Sequence, residues 1–395
     1  MRILISGAGP AGLSLAYWLQ QRGFTPVVVE KAPALRREGY GIDFLGTGFD
    51  VAHAMNIIPR LQAQQIRVKD IAYINDVGAE IAVIGARLLD KVTRGKYLAL
   101  MRYTLVEALY SLVERSVEVR FHQALKQVRQ NTDSVTVTFD NDQVETFDLL
   151  IGTDGVHSNT RRLIFGSDSE FEHYLGLYVA CYPLLDRYGI GDRRLHYTEA
   201  HRQTVAYATE RAGEIVALYL YETPDEGDIP REKRLVRLQE QFSGMGWITS
   251  QLLADIQDPD GIFMDRVVQV KMPAWSLGRV ALLGDACGCM TFASAQGASM
   301  ALGGAYVLAE ALQKQADYQA AFLYYESVLR AAIEQRQQTA RGVIKTLLPR
   351  NKIEFALQLT MLNVVLRDPF AGVLRRVMHT ESLWKQFKQR GQNYA

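Results

Sequence analysis

The stretch Ile3-Leu4-Ile5-Ser6-Gly7-Ala8-Gly9-Pro10-Ala11-Gly12 decides the fold. A short apolar strand runs into a glycine turn and then into a helical pattern, with Leu13, Ala16 and Leu19 on one side and Gln20 and Gln21 turned outward. In a strand, turn and helix of this kind Gly7 makes the tight turn, Gly9 lets backbone approach a pyrophosphate, and Gly12 permits close packing of helix on strand. The phosphates then sit on a helix N-terminus, where unpaired N–H groups and the dipole favour negative charge. A second strand, Pro26-Val27-Val28-Val29, ends in Glu30, eighteen residues after Gly12. That is near the spacing of about 20 at which a carboxylate meets an adenosine ribose. A tight structural turn alone does not account for Glu30, so the unit reads as dinucleotide-binding.

Length and composition fit an enzyme. At 395 residues the chain exceeds the size at which one core stops growing, so two closely packed domains are expected. A net charge of +1 and the lack of a basic face with interleaved aromatics argue against a nucleic-acid partner. With the first strand starting at residue 2, no signal peptide is expected ahead of it and the location is expected to be cytoplasmic. Cys181, Cys287 and Cys289 do not make a disulfide framework, as suits a reducing compartment.

Further along, residues 31–46 read as a loop crossing over a cofactor, with Arg36, Arg37, Gly39 and Gly41 ahead of Ile42-Asp43-Phe44. Residues 68–84 alternate like two strands around an Asp76-Val77-Gly78 turn. Arg102 then opens an amphipathic helix through Leu105, Leu109, Leu112 and Val113. A cation in a first helical turn is electrostatically out of place, which leaves two readings: a solvated surface arginine or a contact to bound phosphate or cofactor. Strands follow at 117–121, 125–130, 134–139 and 143–151, the last ending in Gly152-Thr153-Asp154-Gly155-Val156-His157. Residues 172–222 are β-rich and carry Tyr174, Tyr178, Tyr182, Tyr188, Tyr197, Tyr207, Tyr219 and Tyr221. Such a sheet could wall an apolar pocket, although tyrosine is also an ordinary strand former.

A second apolar strand, Val280-Ala281-Leu282-Leu283, ends in Gly284-Asp285-Ala286, and Gln296-Gly297-Ala298 opens another helix running through Leu312. If the cofactor is FAD, this helix end stabilises negative charge on the reduced ring. Two separated ligand-facing turns in one nucleotide fold imply an extended dinucleotide.

These motifs resemble those of the class A FAD-dependent monooxygenases, the aromatic hydroxylase group that includes tetracycline-inactivating oxygenases. The resemblance covers nearly the whole chain. It rests on Gly7-Ala8-Gly9-Pro10-Ala11-Gly12 with Glu30, on Gly152-Thr153-Asp154-Gly155 followed by Arg161, and on Gly284-Asp285-Ala286 with Gln296-Gly297. It implies an α/β, Rossmann-like FAD-binding domain of the GR2 flavoprotein type, with an interleaved β-sheet substrate domain and C-terminal helices. The expected division is 1–70, 98–170 and 275–345 for FAD, 71–97 and 171–274 for substrate, and 346–395 for the helices.

Carried over position by position, the resemblance implies that Gly7, Gly9, Pro10, Ala11, Gly12, Glu30 and Lys31 hold the ADP half. Arg102 would bind the flavin side, Asp285 the ribityl chain, and Gly297 and Ala298 the ring's helix mouth. Asp43 falls in the loop beside the isoalloxazine, and Asp154 in the motif used for both FAD and NAD(P)H. The implied reaction is NAD(P)H-consuming hydroxylation by O2 of an aromatic or polycyclic small molecule, through a flavin hydroperoxide, with NADPH or NADH as a transient reductant. One departure stands out: the usual His and proline pair after the aspartate are replaced by Gly288, Thr291 and Phe292. Because proline restricts backbone dihedrals, the ring-facing loop is expected to be looser or differently shaped. Two alternatives therefore stay open, a flavin-dependent reductase of an apolar, isoprenoid-like substrate and a catalytically silent flavin-binding protein.

No metal site is expected: Cys287 and Cys289 lack further ligands, and small-residue packing is the expected role. His53, His122, His173, His196, His201 and His379 are scattered, and His157 is expected at the surface. Ile353 to Leu366 is an apolar run of fourteen residues with basic flanks. It is too short to cross a bilayer, so it is expected to pack on the core or a partner subunit, with weak membrane-surface contact as the alternative.

Overall fold

The computed structural model describes residues 1–365 and 380–392. Arg2–Ser6 lies inside a six-stranded sheet. It is flanked in parallel by Thr25–Glu30 on one side and Leu149–Gly152 on the other. Glu118–Phe121 extends one edge and Val280–Leu282 the other, both in parallel, with Ser276–Leu277 antiparallel outermost. Ile3, Leu4 and Ile5 are each fully buried. Both faces of the strand are covered, which is why it reads as an unbroken apolar run instead of an alternating one. On one face lie the helices Pro10–Gln20, Arg102–Val113 and Gly297–Lys314, packed through Leu13, Leu105 and Leu302. On the other lies an antiparallel meander of Leu125–Gln130, Val135–Phe139 and Val144–Phe147, whose Val135, Val137 and Phe139 meet Leu4, Val27 and Leu150.

The second sheet has seven strands, in the order Phe263–Val270, Glu172–Leu185, Glu214–Glu222, Arg202–Ala208, Arg193–Glu199, Asp70–Ile74 and Glu80–Gly85. All neighbours are antiparallel except Arg193–Glu199 with Asp70–Ile74. Its back face is covered by helices Arg231–Gln241 and Thr249–Ala254. The tyrosines sort by the two-residue period of the strands. Tyr178, Tyr182, Tyr197, Tyr219 and Tyr221 all join this back layer. Only Tyr207 of the expected set joins the front cluster with Cys181, Val205 and Val216.

Facing that front is a ribbon that the sequence pattern left as loop: Gly41–Leu45 pairs antiparallel with Tyr97–Met101. Its Ala99 and Met101 pack on Val205 and Tyr207, and the Gly41 N–H donates to Tyr207 Oη at 2.8 Å. Two polar contacts also join the layers. Arg161, fully buried, donates to Ala286 O at 3.1 Å, Val156 O at 2.7 Å, Asp168 at 2.6 Å and Glu172 at 2.9 Å. His157, expected at the surface, keeps 35% of its side chain exposed and pairs its Nε2 with Asp265 of the edge strand at 3.0 Å.

The helix Tyr318–Leu347 runs for 30 residues, and a further helix covers Lys352–Val365. Within the latter, Ile353 and Leu357 stand exposed instead of packing on the core; Leu366, like His379, lies outside the described residues. No helix among the described residues is long and apolar enough to cross a membrane. The helix Trp384–Gln392 docks on the first layer, with Trp384 edge-on to Tyr306 at 4.4 Å.

A Cβ at Gly12 would stand 2.0 Å from the Gly7 carbonyl oxygen. Gly12→Ala is therefore expected to cost about 3 kcal/mol or more of unfolding free energy, and an unchanged denaturation midpoint would refute that. The His157 pKa is raised, chiefly by its hydrogen bond to Asp265 against the opposing effect of burial. A raised folded-state value means the stabilisation is complete below the unfolded value of 6.5 and is lost as pH rises through the folded one. Denaturant titrations across that range should show wild type losing stability with rising pH and His157→Gln losing less; parallel curves would contradict this.

Candidate cofactor and substrate site

The sheet order reverses at Arg2–Ser6, and the carboxyl ends of its strands open onto one crevice, where ligands bind in open α/β sheets. Register brings three turns together there: Ser6 is level with Gly152, and Gly152 with Leu282. Gly7, at φ +112°, leaves no room for a side chain, since a Cβ would lie 2.8 Å from Thr153 O. Thr153 Oγ1 donates to Ser6 O and Gly7 O, both at 2.9 Å, clamping the two turns. Gly284, at φ +72°, lies between two helices, with Ala11 Cβ 3.1 Å and Ala301 Cβ 3.7 Å from where its own Cβ would be.

Each of those helices begins at the crevice without a side-chain cap. Gly9 caps Pro10–Gln20 by backbone alone, and Pro10 occupies the first turn, where its missing N–H costs nothing. Nothing lies within 4 Å of a Cβ built at Gly9. The second helix, Gly297–Lys314, likewise starts without a capping side chain. Gly297 and Ala298 form its mouth, and a Cβ at Gly297 would be 3.9 Å from Asp285 Oδ1. The Asp285 side chain is exposed to the crevice. Desolvation by the enclosing walls raises its carboxyl pKa, opposed by Arg102. Arg102 is itself exposed, anchored by its backbone N–H to Tyr40 O at 3.4 Å.

At the other end of the crevice Glu30 closes the second strand. Its Oε2 accepts the Ala8 N–H at 3.0 Å and its Oε1 the Ala32 N–H at 2.9 Å. The carboxylate thus braces the glycine turn, with Lys31 exposed beside it. Asp154 is used within its own loop: it accepts from Ser158 Oγ and, at 2.8 and 2.9 Å, from Thr160 N and Oγ1. It therefore holds the first turn of the helix Asn159–Ile164, which Ser158 caps, and sets the turn that Arg161 anchors.

Sequence reasoning missed Tyr40, Arg194 and His196. Tyr40 packs edge-on against Phe263 and Phe292, at 5.8 and 6.3 Å, beside Arg102 and Asp285. Further along the ribbon, Asp43 takes both ends of the Arg194 guanidinium at 3.2 Å and the Tyr97 hydroxyl at 2.7 Å. Burial raises the Asp43 pKa, but Arg194 more than offsets it and holds the carboxyl below its ordinary value. His196, two residues beyond Arg194, stacks on Tyr73 at 5.0 Å. Burial first, then the Arg194 charge, push its pKa down to about 3. The only signal for Arg194 and His196 was period-two alternation on a strand whose facing partner could not be read from sequence.

Cys287 and Cys289 are buried and unbridged. Ligand atoms of His157, Asp228 and Asp265 lie within 4.8 Å of one another. Arg266 Nε stands 3.9 Å from Asp228 and Arg234 is near Asp265, so arginines already supply positive charge there.

An extended dinucleotide fits this crevice: two uncapped helix mouths, glycines where a Cβ would clash, one carboxylate at the sheet's second strand and another at the second mouth. Residues 1–175 match the family model described as an FAD binding domain. The chain is 32% identical over 348 residues to a flavin-dependent monooxygenase from an unknown prokaryotic organism, spanning 86% of this chain and 87% of that one. It is 30% identical over 364 residues to a flavin-dependent monooxygenase of Legionella longbeachae, spanning 89% and 91%. Among solved structures it is similar to the tetracycline destructase Tet(55), with a TM-score of 0.83 at 27% identity over 96% of this chain and 97% of that one. The chain belongs to the FAD-dependent monooxygenases of class A.

Proposed function

We propose that this protein hydroxylates an aromatic or polycyclic small molecule, using FAD, O2 and NAD(P)H. The observation that carries the reading is the pair of uncapped helix N-termini, brought together over Gly284 and flanked by Asp285. The similarity to a tetracycline destructase supports a polycyclic substrate class.

In this assignment the backbone of Gly7 and Gly9 through Gly12 holds the pyrophosphate, and Glu30 with Lys31 serves the adenosine side. Asp285 accepts from the sugar-alcohol chain. The Gly297 and Ala298 amides and Arg102 face the ring, and Asp43 stands behind it. Asp154 acts by holding the loop that Arg161 anchors. FAD, when bound, supplies the redox chemistry that activates oxygen. The chain's own part is to exclude water and orient the acceptor. Tyr40, Phe263 and Phe292 form an apolar edge-to-face cluster suited to the first task.

A cavity of about 250 Å³ opens beside Arg102 and is lined by Arg36, Arg231, Arg234 and Arg266 as well. We assign residues 1–70, 98–170 and 275–345 to the cofactor domain and 71–97 with 171–274 to the substrate domain, the seven-stranded sheet being the substrate side.

The purified protein should be yellow. Asp285→Ala should weaken FAD binding about tenfold or more, given the roughly 1.5–3 kcal/mol of a charge-assisted hydrogen bond. Turnover under labelled O2 should place label in the product; turnover with no label would instead identify a reductase.

A further inference from the structure

On the strand Arg193–Glu199, Arg194 and His196 share one face, opposite Leu195 and Tyr197. They stand level with Tyr207 and Val205 of one neighbour and with Ile71 and Tyr73 of the other. Tyr207 and Val205 belong to the front cluster that meets the ribbon. The ribbon begins at Gly41, next to Tyr40 and the crevice, and Asp43 lies about 7 Å farther on by strand rise. Asp43, Tyr97, Tyr73, Arg194 and His196 are all partly accessible, although they sit between two layers of structure. Asp43 keeps 29% of its side chain accessible and Arg194 13%, so this wall borders open space between the two layers.

The chemistry of that wall is specific. Arg194 spends both terminal nitrogens on the two oxygens of Asp43, and its guanidinium lies over the Tyr207 ring at 5.4 Å. Its remaining nitrogen, Nε, is buried without a partner. Tyr97 adds a third donor to Asp43. Both charges are therefore cancelled locally. The ring nitrogens of His196 are buried and accept or donate no hydrogen bond, while the Gln203 amide beside them donates to Thr198 Oγ1 at 2.7 Å, so His196 holds the unspent polar atoms of this wall. An uncharged imidazole has one donor and one acceptor, which matches a hydroxyl or carbonyl. A carboxylate arriving here would find Arg194 already paired and the Asp43 charge against it, so its desolvation would go uncompensated.

We propose that the Asp43–Arg194 pair makes this wall electrically neutral and so sets substrate class: uncharged ring systems bearing hydroxyl or carbonyl groups are taken, and aromatic carboxylates are refused. The inference rests on the monooxygenase reading for calling the bound molecule a substrate. The selectivity itself is a binding property that can be measured without turnover.

The test uses FAD-loaded protein at neutral pH and two matched probe pairs, phenol with benzoate and naphthol with naphthoate. Dissociation constants are read from the perturbed absorbance of the bound flavin. Wild type should bind each neutral probe about tenfold or more tighter than its carboxylate, a ratio equivalent to about 1.4 kcal/mol. Asp43→Asn keeps the shape and frees the guanidinium, so it should raise carboxylate affinity about tenfold and close or reverse the ratio. The double variant Asp43→Asn/Arg194→Gln should restore the neutral preference. If Asp43→Asn fails to hold FAD, Arg194→Gln alone decides: it leaves the Asp43 charge unopposed and should widen the ratio.

Tight carboxylate binding by wild type, an unmoved ratio in folded Asp43→Asn, a narrowed ratio in Arg194→Gln, or no binding of any neutral probe would each overturn the proposal. A ratio that behaves as stated while labelled oxygen never reaches product would sink the monooxygenase reading and leave the selectivity standing.

Discussion

The architecture depends on one constraint: three turns must meet at the reversal point of the parallel sheet so closely that Gly7, Gly12 and Gly284 have no room for a Cβ. Gly7 lies against Thr153, Gly12 against the Gly7 carbonyl, and Gly284 between Ala11 and Ala301. Thr153 joins the first two turns by hydrogen bonds, and Arg161 ties the second to the third through Ala286 O. With that crossing closed, two helix N-termini open onto a single crevice. Their dipoles then favour the anionic parts of one long ligand. A Cβ at Gly7, Gly12 or Gly284 would push apart elements that must touch for the site to exist.

The second sheet contributes by orientation. Its back is filled by tyrosines under two helices, and its front meets the ribbon Gly41–Leu45 with Tyr97–Met101. Several back-layer hydroxyls are spent within that layer; Tyr178, for instance, donates to Gly227 O at 2.7 Å. The polar character of the front is concentrated in a few groups instead, above all Asp43, Arg194 and His196. Their mutual arrangement converts two full charges and a histidine into a wall with almost no net field. An ion pair of this kind is weak evidence for stability. Its clearer consequence is the rejection of ligands that bring a charge of their own.

Much of the site was legible before any coordinates. The glycine turn, Glu30, Asp285 and the second helix mouth lie in local patterns whose spacing is dictated by backbone geometry, and each stands at the crevice. The roles of individual side chains were less legible. Glu30 braces Ala8 and Ala32, and Asp154 holds the first turn of the helix that follows it; both uses depend on how loops fold back. The eight tyrosines could be pocket walls or ordinary strand packing by pattern alone, and strand register placed five of them in the back layer. His157 is partly exposed, as its pattern implied, but nothing near it in the chain reveals its partner Asp265, more than a hundred residues away.

From the sequence alone came the nucleotide-binding unit, the parallel sheet, the extended dinucleotide and the family. These rest on short-range rules, in which a residue's neighbours within one turn or strand determine what it can do. Tertiary structure alone decided the meeting of the ribbon with the sheet, the pairing of Asp43 with Arg194, and the neutral state of His196. Each depends on desolvation and charge contributed by segments remote in the chain, and no local pattern encodes which face of a strand will be covered by which distant partner.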